Sequence, residues 1–312
     1  MCLLIPLLLL AALLLAPLAL VPLRERLNPR AFAGDDCFVT AGGYAIHYQD
    51  DGPRDAPPVV LLHGFGAWTF TWRAQRAALL RAGYRVIATD QIGYGASDRP
   101  AAPVYTTRAQ AELILAALDA LGVEAAHLVG HSFGARVALQ IALIAPPRVR
   151  SLVAIAPEAF ATERPPIGRL AALPLIGYAL AYYSLGPRLV RPGLKYVTKR
   201  HDWLTDEAVA GYAAPMRVRG SAAAQVWQAR SPKDGARPVP PHLAEIAQPV
   251  LVIWGADDPV FPADDAHRLV QILPNARLVL LDGTGHLPHE ERAGDVTKAI
   301  LEFLNDDCRL LT

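Results

Sequence analysis

The sequence predicts an α/β protein: a mostly parallel eight-stranded sheet flanked by helices, with a helical cap inserted in it and a hydrophobic helix in front. Three observations predict this. Short β-branched runs alternate with segments of helical period, the pattern of strand–helix–strand units. Several of those runs are apolar almost without a break, so both faces of the strands are buried. One long stretch late in the chain contains no such run. With 312 residues, 53% hydrophobic and 19% charged, the chain can bury one large core, or one core with an inserted smaller unit.

Taken in order, the first element is Leu3 to Leu23, 21 residues without a charge, twelve of them leucine. As a helix rising about 1.5 Å per residue it spans roughly 30 Å of hydrocarbon. Its interior prolines, Pro6 and Pro17, are tolerable where water does not compete for the backbone. Residues 3–23 are therefore expected to be a retained single-pass membrane anchor. The alternative is a secretory signal cleaved at the A-x-A-like site Ala31 to Ala33; the length of the run and the lack of a preceding basic residue favour the anchor. Arg24, Arg26 and Arg30 follow the run, and the positive-inside tendency then points to a cytoplasmic globular part.

Two segments, Cys37 to Ala41 and Tyr44 to Gln49, are separated by Gly42 and Gly43 and predict an antiparallel hairpin. Six further runs read as strands: Pro58–His63, Arg85–Asp90, Ala126–His131, Arg150–Pro157, Pro249–Gly255 and Ala276–Asp282. Thr107 to Leu121 and Ala135 to Ala145 have helical period. The stretch from Glu158 to Gln248 holds many prolines and a charge-poor run, Leu173 to Pro187. It is expected to be a helical cap over one end of the sheet; the other reading is a helical subdomain that completes the core. The resulting organisation is 1–30 anchor or signal and linker, 31–157 first core part, 158–248 cap, 249–312 second core part.

A formal net charge of +1 and no Lys/Arg cluster interleaved with aromatics exclude a nucleic-acid footprint. Cys2, Cys37 and Cys308 are too few and too scattered for a disulfide framework or a zinc site, and inert thiols are expected even if Cys37 and Cys308 meet. No metal and no cofactor is expected.

The chemistry starts at Leu128 to Arg136, "LVGHSFGAR". Ser132 sits between Gly130 and Gly134 where a strand turns into a helix. In open parallel sheets ligands bind beyond the carboxyl ends of the strands, and a tight turn with small flanking residues thrusts the hydroxyl out there. Random order would give about 0.03 G-x-S-x-G matches in this composition, so the pattern is moderately specific by itself. A serine hydroxyl needs a base to take its proton and a third group to orient that base. Asp257 and Asp258 follow the strand at Pro249–Gly255, and His286 follows the strand at Ala276–Asp282. The chain order Ser, Asp, His is that of one particular fold.

The motifs "HGFG" (His63 to Gly66), "DQIGYGASDRP" (Asp90 to Pro100), "GHSFG" (Gly130 to Gly134), "WGADDPVFP" (Trp254 to Pro262) and "GTGHLPHEE" (Gly283 to Glu291) resemble those of the α/β-hydrolase family, in its capped, esterase-like branch. The resemblance runs from about Cys37 to Leu304. It implies Ser132 as nucleophile, His286 as general base and later acid, and Asp258 as the orienting acid, with Asp257 and Glu158 as alternatives. It implies the backbone N–H groups of Phe65 and Phe133 as oxyanion donors. Asp90, Asp98 and Arg99 resemble a loop-bracing motif. Only after Glu291 does the sequence depart from the commoner pattern, with "RAG" where a proline-containing step is expected.

Among the remaining histidines, His63 is expected to brace the oxyanion turn, His131 to point toward neighbouring loops, and His289 to lie at the solvated surface or the substrate's edge. Trp68 and Trp72 are placed either in a pocket lining or against the first long helix. Family members that open epoxides or remove halides carry aspartate at the elbow; position 132 is serine. Hydrolysis of a carboxylic ester through an acyl-enzyme is expected first, the partner being a small-molecule or lipid ester. Carbon-carbon cleavage of a dienoic keto acid comes second, with Arg188, Arg191 and Arg217 available as carboxylate clamps, and a cofactor-free perhydrolase third. A non-catalytic ligand-binding member of the fold is the reading from another class.

Overall fold

A computed structural model describes residues 4–160, 169–184, 186–231 and 242–310. Cys2, Leu3, Leu185, the side chain of Cys308 and parts of the 158–248 stretch lie outside these; Cys37 is a free, exposed thiol. The strands are β1 Cys37–Ala41, β2 Tyr44–Asp51, β3 Pro58–Leu62, β4 Arg85–Thr89, β5 Ala126–His131, β6 Val149–Ile155, β7 Val250–Gly255 and β8 Ala276–Leu281. They form one 8-stranded sheet in the order β1-β2-β4-β3-β5-β6-β7-β8. β1 and β2 make the antiparallel hairpin, β2 joins β4 antiparallel, and every later pairing is parallel.

The continuous apolar strands are buried on both faces because their side chains alternate. Val60, Leu62, Ile87, Leu128, Ala154 and Val252 face one layer, with helices α4 Thr107–Ala120 and α5 Phe133–Ile144. Val59, Leu61, Val86, Val129, Val153 and Ile253 face the other. That second layer contains Leu79 of α3 Arg73–Arg81 and the carboxyl-terminal helix Ala293–Leu310. β8 closes the parallel edge and is only partly covered.

Before the sheet lie α1 Leu4–Arg24 and the short α2 Pro29–Ala33. α1 contains Pro17 and Pro22, is largely exposed, and is long and apolar enough to cross a membrane. Between β6 and β7 the described residues form helices and turns: α6 Pro174–Ser184, α7 Pro187–Val197, α8 Asp206–Ala213 and α9 Ser221–Arg230. After β7 come α10 Ala263–Ile272, the single turn α11 Pro288–Glu291, and α12 Ala293–Leu310. Register places the carboxyl ends of β5, β6, β7 and β8 side by side, with His131 opposite Ile155, Ile155 opposite Ile253, and Gly255 opposite Leu281. Loops leaving these ends therefore converge on one rim.

Candidate active site

Ser132 links β5 to α5 in a left-handed conformation, φ 50 and ψ −115. Such backbone around a Cβ stores roughly 1–3 kcal/mol of strain. The flanking glycines follow from space: a Cβ on Gly130 would lie 2.5 Å from the Ala135 Cα, and one on Gly134 would lie 2.2 Å from the Leu62 carbonyl oxygen. Only bare backbone lets α5 start so close above β3 and β5.

The Ser132 Oγ lies 3.1 Å from Nε2 of His286, and Nδ1 of His286 lies 2.7 Å from Oδ2 of Asp258. A carboxylate only accepts, so Nδ1 carries the proton and Nε2 presents its lone pair to the serine hydroxyl. The other Asp258 oxygen accepts from the N–H groups of Val260 (2.7 Å) and Phe261 (3.0 Å), which locks the carboxylate. The two alternatives are occupied elsewhere. Asp257 accepts from the Gly283 N–H at 3.0 Å, and Glu158 pairs with Arg136 at 3.2 Å.

Phe133 is the first residue of α5, where a helix leaves its N–H groups without intrahelical acceptors. Phe65 follows β3 between Gly64 and Gly66, the residue 59% exposed. Below it, His63 Nε2 accepts from the Gln91 N–H at 3.1 Å, so Nδ1 donates to the Gly64 carbonyl at 2.8 Å. Burial holds the His63 pKa below its ordinary value, and the ring braces the turn as a neutral group.

His131 reaches His286, donating from Nε2 to its carbonyl at 2.8 Å. Burial, with His289 and His286 adding to it, keeps His131 well below the ordinary imidazole value. His289 is fully buried and not at the surface or substrate edge. Its turn, α11, is covered on all sides, and the ring packs at a tilt 4.9 Å from Trp72 and 4.5 Å from His131, with Nε2 2.8 Å from Thr71 Oγ1. Burial lowers its pKa to about 3. Trp72 is a packing residue, whereas Trp68 donates from Nε1 to the Gly211 carbonyl at 2.8 Å.

Four groups escape sequence reasoning. Thr71 and Tyr212 meet at 2.6 Å, and the Tyr212 hydroxyl donates to Glu290 at 2.7 Å. Glu291 accepts from the Gly285 N–H (2.9 Å) with one oxygen and from the N–H groups of Lys199 (2.7 Å) and Arg200 (2.9 Å) with the other. These bonds tie the helical stretch between β6 and β7 to the loop carrying His286. The acidic pair beside "GTGH" is the only local signal of them, and it does not name their partners.

Asp90 is the hub of the loop after β4. It accepts from the N–H groups of Thr69 (2.8 Å) and Ala96 (2.7 Å) and from His47 Nδ1 (2.6 Å). The His47 ring holds the Asp90 carboxyl below its ordinary range against the opposing effect of burial. Asp98 accepts from the Ala45 N–H at 2.8 Å, and Arg99 donates to the carbonyls of Ser97 and Gly95.

A parallel sheet whose carboxyl rim brings Ser132, His286 and Asp258 together, with the serine forced up between two glycines, is the arrangement of a hydrolase-type α/β protein. The chain belongs to the α/β hydrolase fold family, which matches residues 57–191 and 193–293. The putative carbamate hydrolase RutD of Variovorax paradoxus is 33% identical over 268 residues, 83% of this chain and 96% of its own. The 2-hydroxy-6-oxo-6-phenylhexa-2,4-dienoate hydrolase of Comamonas testosteroni is 29% identical over 269 residues, 84% and 91% of the two chains. Among solved structures, the meta-cleavage product hydrolase CumD of Pseudomonas fluorescens IP01 has a TM-score of 0.75 at 25% identity, covering 86% of this chain and 97% of that one. A membrane phospholipase A, a bacterial virulence factor, has a TM-score of 0.72 at 25% identity and covers 98% of this chain and 97% of its own.

Proposed function

We propose that this hydrolase cleaves a carboxylic ester, a lipophilic one, through an acyl-enzyme on Ser132, and that α1 anchors it in a membrane. The observation that carries the reading is the relay of 3.1 Å and 2.7 Å from Ser132 through His286 to Asp258. His286 Nε2 takes the hydroxyl proton as Oγ adds to the ester carbonyl. Asp258 stabilises the imidazolium, and the Phe65 and Phe133 amides hold the oxyanion. Collapse expels the alkoxide, which takes the proton from Nε2. Water then repeats the sequence and frees Ser132 and the carboxylic acid.

Residues 158–248 serve as a cap in this reading, and the bonds from Tyr212 to Glu290 and from the Lys199 and Arg200 N–H groups to Glu291, beside the His286 loop, support it. Lipophilic specificity is supported by exposed Leu170, Leu173, Leu175 and Tyr183 in the stretch that packs beside α1. The similarity to the membrane phospholipase A adds to this, because a match over 98% of the chain takes in α1. Carbon-carbon cleavage is the second reading, favoured by the likeness to the Comamonas enzyme. It calls for a free cation to hold a keto acid. Arg191 is engaged by Asp206 and the Leu204 carbonyl, Arg188 and Arg217 are exposed, and Arg136 is paired with Glu158.

A fluorophosphonate probe should label Ser132 in the full-length solubilised protein and leave Ser132→Ala untouched. Absence of labelling in the unmodified protein returns the chain to the ligand-binding class. On a panel of acyl esters, turnover should rise from acetyl toward longer chains; a steady fall from acetyl rejects lipophilic specificity.

A further inference from the structure

The apolar helix ends inside the cap. Val21 is buried with Ala181 of α6 and Ala222 of α9. Arg24 donates from Nη1 to the Tyr182 carbonyl at 3.1 Å, its guanidinium 5.0 Å from the Tyr182 ring centroid. The next residue, Glu25, is 6% exposed. Its two carboxylate oxygens accept from the N–H groups of Gly220 (2.8 Å) and Ala222 (2.7 Å). These belong to the first turn of α9, whose N-cap is Gly220 at φ 87, a residue with no side chain to offer. A carboxylate 195 and 197 positions away in sequence therefore supplies the missing cap and matches the positive end of the helix. Leu27 then pairs with the same segment, its N–H donating to the Arg217 carbonyl at 2.9 Å and its carbonyl accepting from the Arg219 N–H at 3.0 Å.

The other end of α9 reaches the catalytic corner. Gln228 Oε1 accepts from the Tyr94 hydroxyl at 2.9 Å. The Tyr94 ring stands edge-on to His63 at 5.1 Å and to Phe65 at 6.0 Å, the two residues of the oxyanion turn. Gly220 also lies against Arg99, where an added Cβ would be 3.2 Å from the Arg99 Cβ, and Arg99 braces the Gly95 loop beside Tyr94.

We propose that Glu25 is a positioning residue for the active site: it fixes α9, and α9 holds Gln228 on Tyr94 behind the oxyanion turn. This rests on the reading of Ser132 as nucleophile and of the Phe65 amide as oxyanion donor. The segment before Ala33 is then part of the working protein. Its removal would delete Glu25 and Leu27 and leave buried donors of α9 without acceptors.

The test is a double-mutant cycle on the full-length, detergent-solubilised protein, with a soluble short-chain p-nitrophenyl ester so that delivery from lipid plays no part. Glu25→Ala should lower kcat about tenfold with KM changed less than about twofold, and Glu25→Gln, which keeps one acceptor oxygen, should recover part of that loss. In a Tyr94→Phe background, which has already lost the Gln228 bond, the same Glu25 substitutions should lower kcat by less than about twofold. If Glu25→Ala does not fold, the Glu25→Gln arm completes the cycle by itself. Unchanged kcat, or an equal loss in both backgrounds, overturns the proposal. Fluorophosphonate labelling of the unmodified protein keeps the two claims apart: failure to label overturns the Ser132 reading, whereas normal labelling with additive effects overturns only the role of Glu25.

Discussion

Ser132→Gly should yield a protein that is inactive yet more stable than Ser132→Ala. Both substitutions remove the hydroxyl and its 3.1 Å contact with His286, so that loss cancels between them. What differs is the Cβ at φ 50. Relief of that strain is worth roughly 1–3 kcal/mol. Glycine gives back about 0.5–1 kcal/mol through its larger unfolded-state entropy. The glycine variant should therefore be the more stable by roughly 1 kcal/mol, seen as about 1–2 °C in Tm for a chain of this size. Thermal unfolding of the two variants in the same detergent measures it, with ester turnover in parallel showing a loss of at least about 1,000-fold for each. A glycine variant no more stable than the alanine variant would refute the claim that the elbow holds Ser132 against its own backbone preference.

Two further outcomes follow from the same geometry. Gly95→Ala would set a Cβ 1.8 Å from Asp90 Oδ2, displacing the carboxylate that accepts from Thr69, Ala96 and His47; a destabilisation of at least about 3 kcal/mol is expected, and an unchanged denaturation midpoint would contradict it. His289 is neutral in the fold down to about pH 3, whereas in the unfolded chain it takes a proton below about 6.5, so its contribution is complete above 6.5 and is lost as pH falls. Between pH 7 and pH 5 the unmodified protein should lose about 2 kcal/mol more than His289→Asn, read from urea midpoints; equal losses would show that His289 is not held neutral.

The parallel sheet was legible because β-branched, unbroken apolar runs have few other uses, and the observed strands start and end within a residue or two of those runs. Ser132 was legible for a different reason: two glycines at fixed offsets are what a collision-free elbow requires. The choice between Asp257 and Asp258 was less so, since both follow β7 directly. In the fold the turn points one carboxylate at Gly283 and the other at Val260, Phe261 and His286, a difference no local pattern encodes. His289 was misread because nothing in the local sequence shows that α11 is a single turn whose four residues are all buried. Glu25 carries no sequence signal at all. It caps a helix that begins nearly two hundred residues later, and no local pattern encodes a partner at that distance.

The strain at the rim is borne by the sheet behind it. Among the described residues, Ser132 and Ala156 are the non-glycine positions with positive φ, and they stand at the ends of the neighbouring strands β5 and β6. Each still donates into the next strand, Ser132 to Ile155 at 2.9 Å and Ala156 to Ile253 at 2.8 Å, so the ladder continues past the strand ends and pins both strained residues. Apolar layers on the two faces prevent those ends from relaxing. The ring opposite Ser132 has no such ladder. His286 is held by Asp258 through Nδ1, by His131 through its carbonyl, and by the Val197 carbonyl, which accepts from its N–H at 2.8 Å. Two of those three restraints stand at or just past the ends of core strands, His131 on β5 and Asp258 after β7, and the third is the last residue of α7. A shift of α7 therefore reaches His286 through a main-chain bond, while Ser132 stays fixed to the sheet.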